Sequence, residues 1–85
     1  MSKMDKAKDR LRTVPKDFTY SEARYILAAL GFEERNKGKT SGSRVKFYRE
    51  SDKLMINLHK PHPNDEMKDY AVRQLVDFLI EIGEL

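Results

Sequence analysis

The stretch GKTSGSRVKF, from Gly38 to Phe47, gathers more anion-binding residue types than any other part of the chain. Gly38-Lys39-Thr40 matches the end of a phosphate-binding P-loop, but that motif needs a glycine five positions earlier and a helix immediately after it. The residue five before Gly38 is Glu33, and the residues from Ser43 onward alternate like a strand. The P-loop match is accidental. There remains a basic, hydroxyl-bearing connection: Lys37, Lys39 and Arg44 supply charge, Ser43 a hydroxyl, and Gly38 and Gly42 let amides turn toward an anion, as a nucleic-acid backbone requires. An ordinary solvated hairpin loop accounts for the same residues without a ligand.

A second group of residues bears on acid–base chemistry. General acid–base work on a phosphodiester needs a group that takes a proton, a group that gives one and positive charge on the strained phosphate. Imidazole suits the first two tasks, and His59 and His62 are the only histidines. Strand alternation puts Arg44, Lys46 and Tyr48 on one face of one strand, and Met55, Asn57 and His59 on one face of the next. If these strands pair, His59 sits near Arg44 across the ladder. His59 then serves as base, Arg44 and Lys46 hold the phosphate, Lys60 adds charge, and Tyr48 stacks on a base or sugar. The alternative is that both histidines fill the turn His59-Lys60-Pro61-His62-Pro63. Two histidines with no clear third ligand make a weak zinc signal, so neither metal nor cofactor is expected.

The elements that must position these residues are set by periodicity. Residues 1–15 lack an apolar pattern, carry many charges and end in Pro15, which reads as a flexible basic arm ahead of one domain over 16–85. Thr19-Tyr20-Ser21-Glu22 fits a capping box opening a helix. Tyr20, Ala23, Ile26, Leu27 and Leu30 form its stripe, and Gly31 ends it. A short strand is expected from Phe32 to Asn36, then strands with Val45 and Phe47, and with Leu54, Ile56 and Leu58, facing inward, joined by a turn at Glu50-Ser51-Asp52-Lys53. Met67, Tyr70, Ala71, Gln74, Leu75, Phe78, Leu79 and Ile82 give a closing helix with Asn64 or Asp65 as cap and Gly83 as stop. Val72, Val76 and Ile80 form a second stripe, which either marks a partner or homodimer surface or widens the core face. The predicted fold class is α+β: a two-layer α-β-β-β-α sandwich, with a three-stranded antiparallel sheet and both helices on one face.

Composition bounds the rest. The 85 residues suffice for one small domain, and the absence of cysteine excludes disulfides and thiolate chemistry. No apolar run has the length of a membrane span or the form of a signal peptide, so a cytoplasmic protein is expected. The net charge of +3 is unevenly spread: Arg35 to Lys60 holds eight basic and two acidic side chains, whereas Asn64 to Leu85 holds six acids against Lys68 and Arg73. Such a field favours a polyanion at the middle of the chain.

Several of these residues occur in the order and spacing of a known family. Leu30-Gly31-Phe32 at a helix end, Gly42-Ser43 opening a strand that contains Phe47, then Ile56-Asn57-Leu58-His59-Lys60-Pro61 and a terminal helix resemble the HicA toxins, also called YcfA-like proteins. The resemblance runs from about Phe18 to Leu85. It implies a fold like the double-stranded-RNA-binding domain, activity as an mRNA interferase (an endoribonuclease), and neutralisation by a HicB antitoxin. It also implies a functional histidine directly after the Gly-Ser pair, where this chain has Arg44. A guanidinium stays protonated at physiological pH and cannot act as a base, although it binds phosphate and stabilises negative charge. The sequence therefore leaves three readings: a toxin that cleaves RNA with a rearranged site, an RNA-binding module of the same fold without cleavage, and a module that binds an acidic protein partner.

Overall fold

The computed structural model describes residues 2–35, 44–61 and 64–85. Its elements are α1 (Lys3–Arg12), α2 (Tyr20–Ala29), β1 (Glu33–Arg35), β2 (Arg44–Arg49), β3 (Leu54–His59) and α3 (Asp69–Glu81). The strands form one antiparallel sheet in the order β1-β2-β3. Val45, Phe47, Ile56 and Leu58 are buried on one face of it, while their neighbours Arg44, Met55, Asn57 and His59 are exposed. The α+β architecture and the three-stranded meander read from the sequence are therefore present, with α2 against β1 and α3 against β3.

Helix α2 forms where local chemistry directs it. The Thr19 hydroxyl accepts from the Glu22 amide at 3.1 Å, and the Glu22 carboxylate accepts from the Thr19 amide at 3.1 Å, which is a complete capping box. At its other end Gly31 has φ +95°, a left-handed conformation that lets the Phe32 amide reach the Leu27 carbonyl at 2.9 Å and the Gly31 amide reach Ala28 at 3.1 Å. Phe32 thereby turns back into the core, edge-on to Phe78 at 5.8 Å. Gly83, φ +83°, stops α3 in the same way, with the Glu84 amide on the Leu79 carbonyl at 2.8 Å. The turn at residues 50–53 is formed as expected, and Lys53 takes a left-handed conformation there.

Four expectations are corrected. The N-terminal arm contains a helix: Lys3–Arg12 is capped by Ser2, whose hydroxyl accepts from the Asp5 amide at 3.1 Å, and it packs against α2 and α3. Its apolar stripe is only Met4, Ala7 and Leu11, too thin to hold a helix alone; tertiary packing supplies the difference, and Leu11 is fully buried. Second, Tyr70 and Gln74 are exposed rather than core. Because α1 also lies against α3, the buried arc of α3 includes Val72 and, in part, Val76. The second stripe thus widens the core face, leaving Ile80 exposed.

Third, Asp65 does not cap α3, whose N-cap Lys68 makes no side-chain capping bond. Its carboxylate instead accepts from the amide and hydroxyl of Ser21, at 3.1 and 2.7 Å, in the first turn of α2. A short bridge between Thr19 and Glu66 draws the two segments together, so an acid just ahead of α3 is delivered to the other helix. Asn64 accepts from the Glu66 amide at 3.0 Å, closing a local turn rather than the helix. Fourth, β1 begins at Glu33 rather than Phe32, and all three of its residues are exposed, while Asn36 lies outside the described residues.

Charged side chains seal the core edge. The Tyr20 hydroxyl donates to Glu34 at 2.8 Å, and burial together with that carboxylate pushes the phenol pKa well up. Arg49 follows Val45 and Phe47 on the helix-covered face. It lies over the Phe32 ring at 4.8 Å, donates to the Leu30 carbonyl at 3.0 Å, and meets Asp52 and Glu84 at 2.7 and 2.9 Å. One guanidinium therefore joins the end of α2, the β2–β3 turn and the segment after α3.

Candidate nucleic-acid interface

The face of the sheet opposite the helices is set by cross-strand register. Arg44 pairs with His59, Lys46 with Asn57 and Tyr48 with Met55; on the other side of β2, Arg35 pairs with Lys46 and Glu33 with Tyr48. Residues directly opposite in an antiparallel ladder point to the same face, with β-carbons about 4.5–5.5 Å apart. One surface therefore carries Arg35, Arg44, Lys46, Tyr48, Asn57 and His59, together with the acid Glu33 and the exposed Met55. Arg44 and His59 are exposed, and Lys46 and Tyr48 are half-buried.

The cations on this surface differ in how they are engaged. The Arg35 guanidinium stacks over the Tyr48 ring at 4.7 Å and touches Glu33 at 3.1 Å. Partial desolvation and the neighbouring Glu50 carboxylate raise the Tyr48 phenol pKa, so the ring stays neutral at physiological pH. Away from this face, Arg10, Arg24 and Arg49 are taken up by carboxylates. Among the described residues Arg44, Lys46 and Lys60 make no such pair. Their charge faces solvent.

At the end of β3 the surface turns into an open cleft of about 410 Å³ lined by His59, Lys60, Met67, Lys68, Tyr70 and Ala71, among others. His59 thus borders both the open sheet face and this cleft. A second groove runs on from it between the free edge of β3 and α3, lined by Met55, Asn57, Tyr70 and Arg73. Chemically, the arrangement offers one imidazole, a guanidinium opposite it, ammonium groups on both sides and two accessible phenol rings.

Of the residues singled out from sequence, Arg44, Lys46, Tyr48, His59 and Lys60 lie on or beside this surface, while Lys37, Lys39, Ser43 and His62 fall outside the described residues. Sequence reasoning put Asn57 on the face with His59 but gave it no role, and it missed Arg35 as a member of the face and Lys68 and Tyr70 as neighbours of His59. The strand alternation that placed His59 also places Asn57. Tyr70 sat on a helical stripe and carried no signal of exposure.

The family model described as HicA toxin of bacterial toxin-antitoxin matches residues 20–83. The chain belongs to the HicA toxin family. No curated protein and no solved structure matches it. The matched span runs from the first residue of α2 to Gly83 and leaves out α1. Membership in a HicA toxin-antitoxin family implies an antitoxin partner. Among the described residues no helix is long and apolar enough to cross a membrane.

Proposed function

We propose that this HicA-family chain is the toxin of a type II pair that binds mRNA across the open sheet face and cleaves it at the Arg44–His59 pair, until a HicB-like antitoxin covers that face. The observation that carries the reading is the direct cross-strand pairing of Arg44 with His59. It puts an imidazole beside a guanidinium at the position where the family resemblance implies a histidine. Arg44 and Lys46 hold a backbone phosphate and offset the charge that builds on it as the nucleophile approaches. His59 accepts the proton of the neighbouring 2′-hydroxyl. The 2′-oxygen bonds to phosphorus, the bond from phosphorus to the 5′-oxygen breaks, and that oxygen takes a proton from water at the open face. The products are a 2′,3′-cyclic phosphate and a free 5′-hydroxyl. Apart from that water, each step uses only side chains of this chain, and the reaction takes place in the cytoplasm.

Incubation of the purified protein with end-labelled single-stranded RNA, resolved on native and denaturing gels, tests the reading. Retention together with cleavage supports the toxin reading. Retention without cleavage leaves an RNA-binding module of the same fold, and the absence of both retention and cleavage would shift the reading to an acidic protein partner for the basic face.

A further inference from the structure

Tyr70 is 61% exposed, the most exposed of the large hydrophobic side chains among the described residues, although its place in the α3 pattern predicts burial. It stands in the first turn of α3 and lines the cleft that His59 borders. An exposed phenol and an imidazole line this cleft together with the ammonium groups of Lys60 and Lys68 and the carboxylate of Glu66, so a flat π surface meets a net positive charge. A volume of about 410 Å³ lies within the range of small-ligand pockets and admits a nucleobase with its sugar. Met67 and Ala71 give the cleft an apolar side.

The geometry points to this cleft as a nucleobase subsite, in which Tyr70 stacks on the base next to the phosphate held at Arg44 and His59 while Lys60 and Lys68 hold the following phosphate. The inference rests on the RNA reading above and narrows it to a single-stranded substrate. A base can enter the cleft only when it has left its helical stack, and a duplex keeps its bases stacked and paired. His59 then sits where the strand passes from the sheet to the cleft, so occupancy of the subsite fixes which phosphate lies over Arg44. Tyr70 is a positioning residue in this scheme: it orders the strand and does not touch the reacting atoms.

The test uses the full chain and a fluorescein-labelled ten-nucleotide RNA, intact or carrying one abasic site moved along its length. Tyr70→Ala is expected to weaken binding of intact RNA between about fivefold and a hundredfold, and Tyr70→Phe to restore it, since stacking needs the ring and not the hydroxyl. One abasic position should weaken binding to the unaltered protein yet cost Tyr70→Ala nothing further. Because Tyr70 is exposed, both variants should keep the parent's circular dichroism. RNA bound equally by Tyr70→Ala and by the parent would overturn the subsite while leaving the interface standing. Failure of the unaltered protein to bind RNA at all would overturn both.

Discussion

The guanidinium of Arg10 grips the carboxylate of Glu22 at 2.6 Å, so a residue of α1 holds the acid that also caps α2. A second contact, from Arg10 to Asp17 at 2.9 Å, fixes the connection between the two helices. This relationship explains how a helix outside the family-matched span becomes part of the fold.

Acid should weaken this junction. Burial of the Glu22 carboxylate opposes its ionisation, but the hydrogen bonds from Arg10 and Thr19 outweigh that and hold its pKa below the usual glutamate value. Hydrogen bonding to Arg10 lowers Asp17 in the same direction. Both groups are depressed in the folded state, so their contribution is complete above about pH 4, the unfolded value, and is lost as pH falls through the folded values. The melting midpoint should therefore drop as pH falls below about 4. Arg10→Ala should start lower at pH 7 and lose less on acidification. An equal loss in both proteins would show that Arg10 is not the partner that matters.

Leu11 tests whether α1 is structural. It is fully buried in the same cluster as Leu27, Val72 and Leu75, and Leu11→Ala should cost about 2–5 kcal/mol, as for other buried leucines. In a domain of this size each kcal/mol lowers the melting midpoint by about 4–8 °C. A change of under about 2 °C would mean that α1 is a detached arm. Thr19→Ala, which removes one half of the capping box, should cost about 1 kcal/mol and serves as a scale for the measurement.

Phosphate contacts should announce themselves through salt. Arg44→Ala and Lys46→Ala should each weaken RNA binding and reduce the slope of log affinity against log salt by about 0.7, the value for one phosphate contact on a single strand. Arg12→Ala, which removes a cation paired with Asp9 on α1, should change neither. Titrations at several ionic strengths distinguish these outcomes.

How much of this the sequence disclosed depended on whether a feature was local. The capping box, the two glycine stops and the inward residues of β2 and β3 were legible because each is set by neighbours within a few positions. Alternation also put Arg44 and His59 on the same face, and pairing of the strands put them opposite one another. Helix α1 was not legible: Met4, Ala7 and Leu11 make too weak a stripe until α2 and α3 are there to bury it. The same absence misassigned Tyr70, since which arc of α3 is buried depends on the helix packed beside it. Asp65 was misplaced for a related reason, its true partner Ser21 lying 44 residues away. In the candidate site, what escaped was the part built from two distant segments, Tyr70 and Lys68 beside His59.

The central claim is that the imidazole opposite Arg44 takes the 2′-hydroxyl proton. Its most direct measurement is single-turnover cleavage of end-labelled single-stranded RNA by the unaltered protein and by His59→Ala, in the presence of a metal chelator and with product ends identified. The account predicts 2′,3′-cyclic phosphate and 5′-hydroxyl ends from the unaltered protein, and RNA bound but uncut by His59→Ala. Cleavage at the same rate by His59→Ala would contradict it.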